Sequence, residues 1–190
     1  HTCVYQLPTH EIIICNGTIG MFDGFYLDEN PSPSKNFTAK FERDVHLLTN
    51  WMENHANDSF LPRALYYLAN AYESLNKTQL ALETYRKHEA IDTLTNYIFY
   101  SRYRQAICSL TEDALFRALN SYDGYFRHEP YAHLTKLAID RKDWSHALMY
   151  VTAGINLPSM DQSRMPLFVE PRWPLYEQYG YILYQFGRVK

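Results

Sequence analysis

Between Leu65 and Tyr85 the chain sets large and small apolar residues in an order that two closely packed helices can use. Leu65, Leu68, Ala69 and Tyr72 share one face of a helix, because residues three and four apart lie above one another. Ala81 and Tyr85, four apart, mark a second helix. Ala69 and Ala81 let the two backbones approach, and Tyr72 and Tyr85 fill the space beside them. Ala81-Leu82 recurs as Ala114-Leu115 and as Ala147-Leu148, at even steps of about 33 residues. Tyr131, Leu134, Ala138 and Ala147 repeat the frame around a turn at Asp140-Arg141-Lys142-Asp143. Gly154 then stands at a small position that His88 fills in the first unit. A period of this length means stacked helical hairpins, each burying its apolar face against the next.

The expected fold is mainly α: about three TPR-like helical hairpins and a capping helix, preceded by a short β region. Phe37, Phe41, Val45, Leu48 and Met52 form the stripe of a leading helix, with Lys35, Lys40, Glu42, Arg43, Asp44 and Glu53 mostly off it, on the solvated side. Pro62 suits the first turn of the next helix, where its missing N–H is harmless. Asn76-Lys77 is the turn into a helix over 78–91. The middle unit is degenerate. Its first helix, about 97–109, is rich in Tyr and Arg, with Tyr100, Arg102, Tyr103 and Arg104. Those residues suit either anion or base binding, or cation–π packing between helices. A Pro-rich irregular segment follows Pro158. The last helix, about 175–186, reads as the first helix of a fourth hairpin and acts as a cap.

The segment 1–34 differs in kind. Val4–Leu7 and Ile12–Cys15 are short apolar runs, Asn16-Gly17 is a tight-turn signal, and Met21-Phe22 and Phe25-Tyr26-Leu27 follow between glycines. Two to four strands are expected, too few to be stable without a packing partner. His10-Glu11 sits between the first two runs, as a metal ligand or substrate contact or as a surface pair at a strand end. His-Glu-x-x-His is excluded, because Ile14 occupies the last position. The connector from Asp28 to Ser34 sets a boundary between a β segment, 1–34, and a helical domain, 35–190.

A net charge of −3 offers no basic footprint for nucleic acid. No apolar run approaches the ~20 residues of a membrane span. Cys3, Cys15 and Cys108 form no C-x-x-C pair and read as reduced thiols. The expected location is cytoplasmic. Four Asn-x-Ser/Thr sequons, at Asn16, Asn36, Asn57 and Asn76, keep the secretory pathway as the alternative. A start at His1 suggests a fragment or a processed product.

The Leu65–Tyr85 spacing resembles the tetratricopeptide (TPR) pattern, with six of its eight signature positions matched; His88 and Thr93 depart from it. The order of features over nearly the whole chain goes further. His10-Glu11 is followed by Lys40-Phe41-Glu42-Arg43-Asp44 and Pro62-Arg63. Tyr66-Tyr67-Leu68-Ala69, Tyr85-Arg86-Lys87 and His128-Glu129-Pro130 come next. Leu167-Phe168-Val169-Glu170 and Gly187-Arg188 close the series. This resembles the C-terminal part of family-2-type glycosyltransferases, in which a GT-A catalytic domain is fused to a TPR-like tail. The resemblance implies that His10 contacts the divalent metal, Mn or Mg, that holds a nucleotide-sugar diphosphate, with Glu11 beside the substrate. It implies a catalytic domain in cis as partner and a glycan or protein acceptor. Because apolar sugar faces stack on aromatic rings, Tyr66, Tyr67, Tyr100, Tyr103, Trp144 and Trp173 are candidate acceptor contacts, with core packing as the other use of these rings, and Asn70 is a candidate contact beside Tyr66. No Asp-x-Asp and no nucleotide-binding half occur in this sequence, so this chain alone is expected to be inactive. The alternative is a stand-alone TPR adaptor. At the carboxylate-clamp positions stand Tyr66, Asn70, Glu129 and His133, and only Asn70 agrees with a clamp.

Overall fold

The computed structural model describes residues 3–9, 12–15, 36–92, 95–121, 127–158 and 172–187. Among these the chain is mainly helical, with eight helices, and it divides into two compact units after Ile91.

In the first unit β1 (Cys3–Gln6) and β2 (Ile12–Cys15) pair antiparallel, with Cys3 opposite Cys15 and Gln6 opposite Ile12. The further strand runs and the Pro/Ser connector expected over 16–35 lie outside the described residues, as do His10 and Glu11. Helix α1 (Phe37–Asn54) begins where the Asn36 side chain accepts the Ala39 N–H at 3.1 Å, satisfying one of the free amides of the first turn. It is followed by α2 (Leu61–Ser74), with Pro62 in the first turn, and α3 (Thr78–Ile91).

Leu48 of α1 is fully buried against Leu7, Ala64 and Leu68, with Val45 and Met52 at the edge of the cluster. Leu7 comes from the segment that links the two strands. That packing ties the strand connection to α1 and α2 within the first compact unit. Two expectations for α1 are corrected. Phe37 is largely exposed, since it opens the helix beyond the reach of this cluster. Asp44, expected on the solvated side, is buried, because Thr9 donates to its Oδ1 at 3.3 Å and the Arg43 guanidinium lies 3.5 Å from the same oxygen. Between α2 and α3, Ala69 and Ala81 are both fully buried together with Tyr85.

The second unit holds α4 (Thr95–Ser109), α5 (Glu112–Leu119), α6 (Glu129–Asp140), α7 (Trp144–Ile155) and α8 (Trp173–Gln185). Leu115, Leu134, Ala138, Ala147, Val151, Leu175 and Ile182 form its core. Gly154 has a defined packing role here. A Cβ on it would lie 2.8 Å from Tyr131 Cβ and 2.9 Å from Leu175 Cδ1, so only glycine lets α6 and α8 close on α7 at this height. At the matching eleventh position of α3, His88 is buried against the Tyr66 ring, 5.6 Å between centroids.

Three helix pairs, α2–α3, α4–α5 and α6–α7, share one turn geometry. Asn76, Leu110 and Lys142 each take a positive φ, at 57°, 50° and 59°, two residues before the next helix starts. The fourth residue of that next helix is fully buried each time: Ala81, Leu115 and Ala147. The middle pair is therefore set one residue later than the even Ala-Leu steps imply. Leu115, not Ala114, takes the buried place, and Ala114 is only partly covered. The step from Asn76 to Leu110 is accordingly longer than that from Leu110 to Lys142.

Helix α7 starts from Asp143, whose carboxylate accepts the His146 N–H at 3.2 Å and lies 2.7 Å from its Nδ1. That backbone hydrogen bond, with the His146 ring and the Arg141 charge adding to it, holds the Asp143 carboxyl below its ordinary value. A lowered carboxylate pKa stabilises the fold above the unfolded-state value near 4, and the contribution fades as pH falls through the folded-state value. Asp143→Ala is accordingly expected to lower the thermal midpoint at pH 7, and the gap from the parent protein should narrow below about pH 4. Thermal circular dichroism at pH 7 and at about pH 2.5 checks this; a gap of equal size at both would contradict the assignment.

Candidate functional site

The densest polar and aromatic grouping lies where α4 meets the start of α6. Arg127 stands shortly before Pro130, whose fixed φ suits the first turn of α6. Its side chain is only 2% exposed, and that of Glu129 only 1%. Arg127 Nε donates to Glu129 Oε2 at 3.1 Å and Nη2 donates to Oε1 at 2.5 Å, a two-pronged pair. Nη2 also donates to the Tyr100 hydroxyl at 3.0 Å. The guanidinium carbon sits 4.7 Å from the Phe99 ring centre and 4.9 Å from that of Tyr100, so two aromatic faces cover the cation. One turn along α4, Tyr103 stacks on Phe99 at 5.8 Å, and its hydroxyl shares a 3.0 Å hydrogen bond with His133 Nε2 of α6. Arg117 of α5 donates to Gln105 Oε1 at 2.7 Å.

Tyr100 and Tyr103 therefore do not line an open groove. Both are buried, and their hydroxyls are engaged within the second unit. The cation on the Tyr100 ring is Arg127, which comes from the lead-in to α6. At the two clamp positions on α6, Glu129 holds Arg127 and His133 holds Tyr103. Glu129 is fully buried and is not presented to a peptide carboxylate, whereas His133 is only partly covered.

In the first unit the Tyr85 hydroxyl lies 2.5 Å from Asn70 Oδ1 and 2.8 Å from Glu73 Oε2. Tyr66 packs its ring against His88 and, edge-on, against Tyr67 at 5.7 Å. Tyr66 and Asn70 are partly exposed, one turn apart on α2. The candidate contact residues thus fall into two sets, Tyr66 with Asn70 in one unit and Tyr100 with Tyr103 in the other.

A small cleft of about 90 Å³ lies between the α4–α5 turn and α6. Ile107, Leu110, Leu115 and Leu137 make its apolar wall, and His133, Lys136 and Asp140 its polar rim. Leu110, 62% exposed and at positive φ, is an unusual residue for such a turn. Beyond the cleft, Arg141 at the end of α6 pairs with Glu112 at the start of α5. Burial pushes the nearby Tyr150 phenol up, and the Glu112 charge adds to that shift.

Among the described residues no three His, Cys, Asp or Glu side chains converge on a point where a metal ion could sit. No described helix is long and apolar enough to cross a membrane. Of the sequon asparagines, Asn36, Asn57 and Asn76 are exposed, at a helix start or in turns, and Asn16 is outside the described residues. Comparison of the chain with protein families, curated proteins and solved structures finds no match.

The buried Arg127–Glu129 pair carries no periodic signal in the sequence, since neither residue lies on an apolar stripe. The one hint is a charged Arg-His-Glu directly before Pro130, where a helix start forces the chain inward.

Proposed function

We propose that this chain is the C-terminal helical module of a nucleotide-sugar-dependent glycosyltransferase, built of TPR-like hairpins that support a catalytic domain and contribute to acceptor binding. The observation that carries this reading is the seat of the β1–β2 connection on the helices. Leu7 is buried with Leu48, Ala64 and Leu68, and Thr9 is tied to Asp44. His10 follows Thr9 directly in the sequence. A helical module fastened at the residue before a proposed metal ligand is suited to brace a catalytic site through the strand connection.

In this reading a divalent cation would offset charge on the leaving diphosphate. His10 is its one proposed ligand from this chain, with Glu11 beside the substrate, and the described residues add no further ligand set. Tyr66 and Asn70 are the proposed acceptor contacts, because they retain exposed surface on α2. Tyr100 and Tyr103 serve the packing of α4 on α6 instead.

The test uses the full-length polypeptide containing this chain, assayed with a panel of nucleotide sugars with and without Mn or Mg. Metal-dependent transfer is expected, with His10→Ala removing most of it and leaving the thermal midpoint within a few degrees of the parent. Absence of transfer with every donor, or undiminished activity in His10→Ala, would overturn the reading.

A further inference from the structure

Helix α8 turns its apolar side two ways. Leu175 and Ile182 point into the core of the second unit, and Gln178 Nε2 donates to the Ala132 carbonyl of α6 at 3.0 Å. The opposite side carries Trp173, Tyr176, Tyr181 and Tyr184, which are 57, 55, 48 and 66% exposed. At about 3.6 residues per turn, Trp173, Tyr176 and Tyr184 share one stripe with Gly180, and Tyr181 flanks it against Trp144 of α7.

Gly180 is the second observation. A Cβ placed on it meets nothing within 4 Å. Glycine inside a helix weakens it relative to alanine, since it gives up more backbone freedom on folding. Gly154 has a reason inside the fold, the close approach of Tyr131 and Leu175, whereas Gly180 has none among the described residues. A glycine at the middle of an exposed aromatic stripe permits the close approach of something outside the unit.

We propose that this face of α8 is the interface of a homodimer, in which two copies of α8 cross at Gly180. The area fits a second copy of this chain. A buried aromatic side chain removes about 150–250 Å² from water, so the exposed fractions leave roughly 350–550 Å² of aromatic surface on the stripe and Tyr181 together. A standard interface buries about 800 Å² a side, of which about 56–65% is apolar, or roughly 450–520 Å². With Tyr181 included, the aromatic surface of this face is close to that apolar requirement. Its order is also self-complementary. Tyr176 and Tyr184 lie symmetrically before and after Gly180, so an antiparallel twofold crossing there sets Tyr176 of each copy beside the partner's Tyr184. Such pairing of one patch with itself is the isologous contact of a twofold dimer.

The test is sedimentation equilibrium of the chain at about 1–100 μM, a range that brackets the affinity of a modest interface. The parent protein is expected to shift from monomer to dimer within it. Gly180→Ala should raise the thermal midpoint of the monomer, because alanine favours the helix, and should weaken dimerisation at least tenfold by holding the backbones apart. Tyr176→Ser with Tyr184→Ser should abolish the dimer and leave the helical circular dichroism unchanged. A monomer at every concentration would overturn the proposal, as would a dimer unaffected by both sets of variants. Quenching of Trp173 fluorescence by a soluble oligosaccharide, with the chain monomeric throughout, would also overturn it in favour of a glycan platform.

Discussion

Glu129→Ala should destabilise the protein by about 3–5 kcal/mol, the range for removing one partner of a buried ion pair. Glu129 provides both oxygens that meet Arg127, and neither side chain has appreciable contact with solvent. Without the carboxylate, the guanidinium stays buried against the Tyr100 hydroxyl and two aromatic faces, with its charge uncompensated by Glu129. Relaxation that brings water to the cation has to open the α4–α6 contact. For a unit of this size the fall in thermal midpoint should be at least about 10 °C. The double variant Arg127→Met with Glu129→Leu should recover most of the loss, because a packed apolar pair carries no desolvation penalty. Urea denaturation of the parent and both variants decides the matter. A single-variant loss under about 1 kcal/mol would show that the pair is not truly desolvated.

The second large effect is expected in the first unit. Leu48→Ala should cost about 2–5 kcal/mol, combining lost transfer energy with the cavity left behind. Leu48 has no exposed surface and meets Leu7, Ala64 and Leu68 in a single cluster. Its removal takes away the floor on which Leu7 rests. Faster amide exchange in β1 and β2 is the specific sign, since an isolated pair of strands is marginal in water. Leu7→Ala combined with Leu48→Ala should lose less than the sum of the two, by at least about 0.5 kcal/mol, as residues in contact do. Full additivity would mean that the strand connection and α1 are energetically separate, and it would remove the support for a braced catalytic site.

Much of the helical framework is readable because each boundary has a local cause. Asn36 and Asp143 accept first-turn amides, Pro62 stands in a first turn, and α3 keeps its expected span. The register of the middle pair is not readable. Ala114 and Leu115 are both apolar neighbours of the same recurring dipeptide, and only the left-handed turn at Leu110 decides which of them faces inward. Asp44 is illegible for a related reason. Its partner Thr9 is 35 residues away in another element, and no periodicity links a carboxylate to a distant hydroxyl. Of the candidate site, Tyr100 and Tyr103 stand out in the sequence as a pair on one helix face. The residues that occupy them, Arg127 and His133, come from another helix and its lead-in, a pairing that only the packed chain brings about.

The buried guanidinium also bears on how such a chain can be rearranged. Hairpins joined only by apolar stripes are interchangeable in principle, because grease has no direction and one leucine ridge accepts another. At the α4–α6 joint this freedom is gone. Arg127 has to find the Glu129 carboxylate just ahead of it and a phenol 27 residues back, all in one geometry. A hairpin transplanted from elsewhere in the chain would arrive without Tyr100 and deprive the guanidinium of that hydroxyl and of one of its aromatic faces. That joint therefore acts as a keyed coupling within the second unit: duplication, deletion or shuffling of hairpins is open at greasy seams and closed at this one.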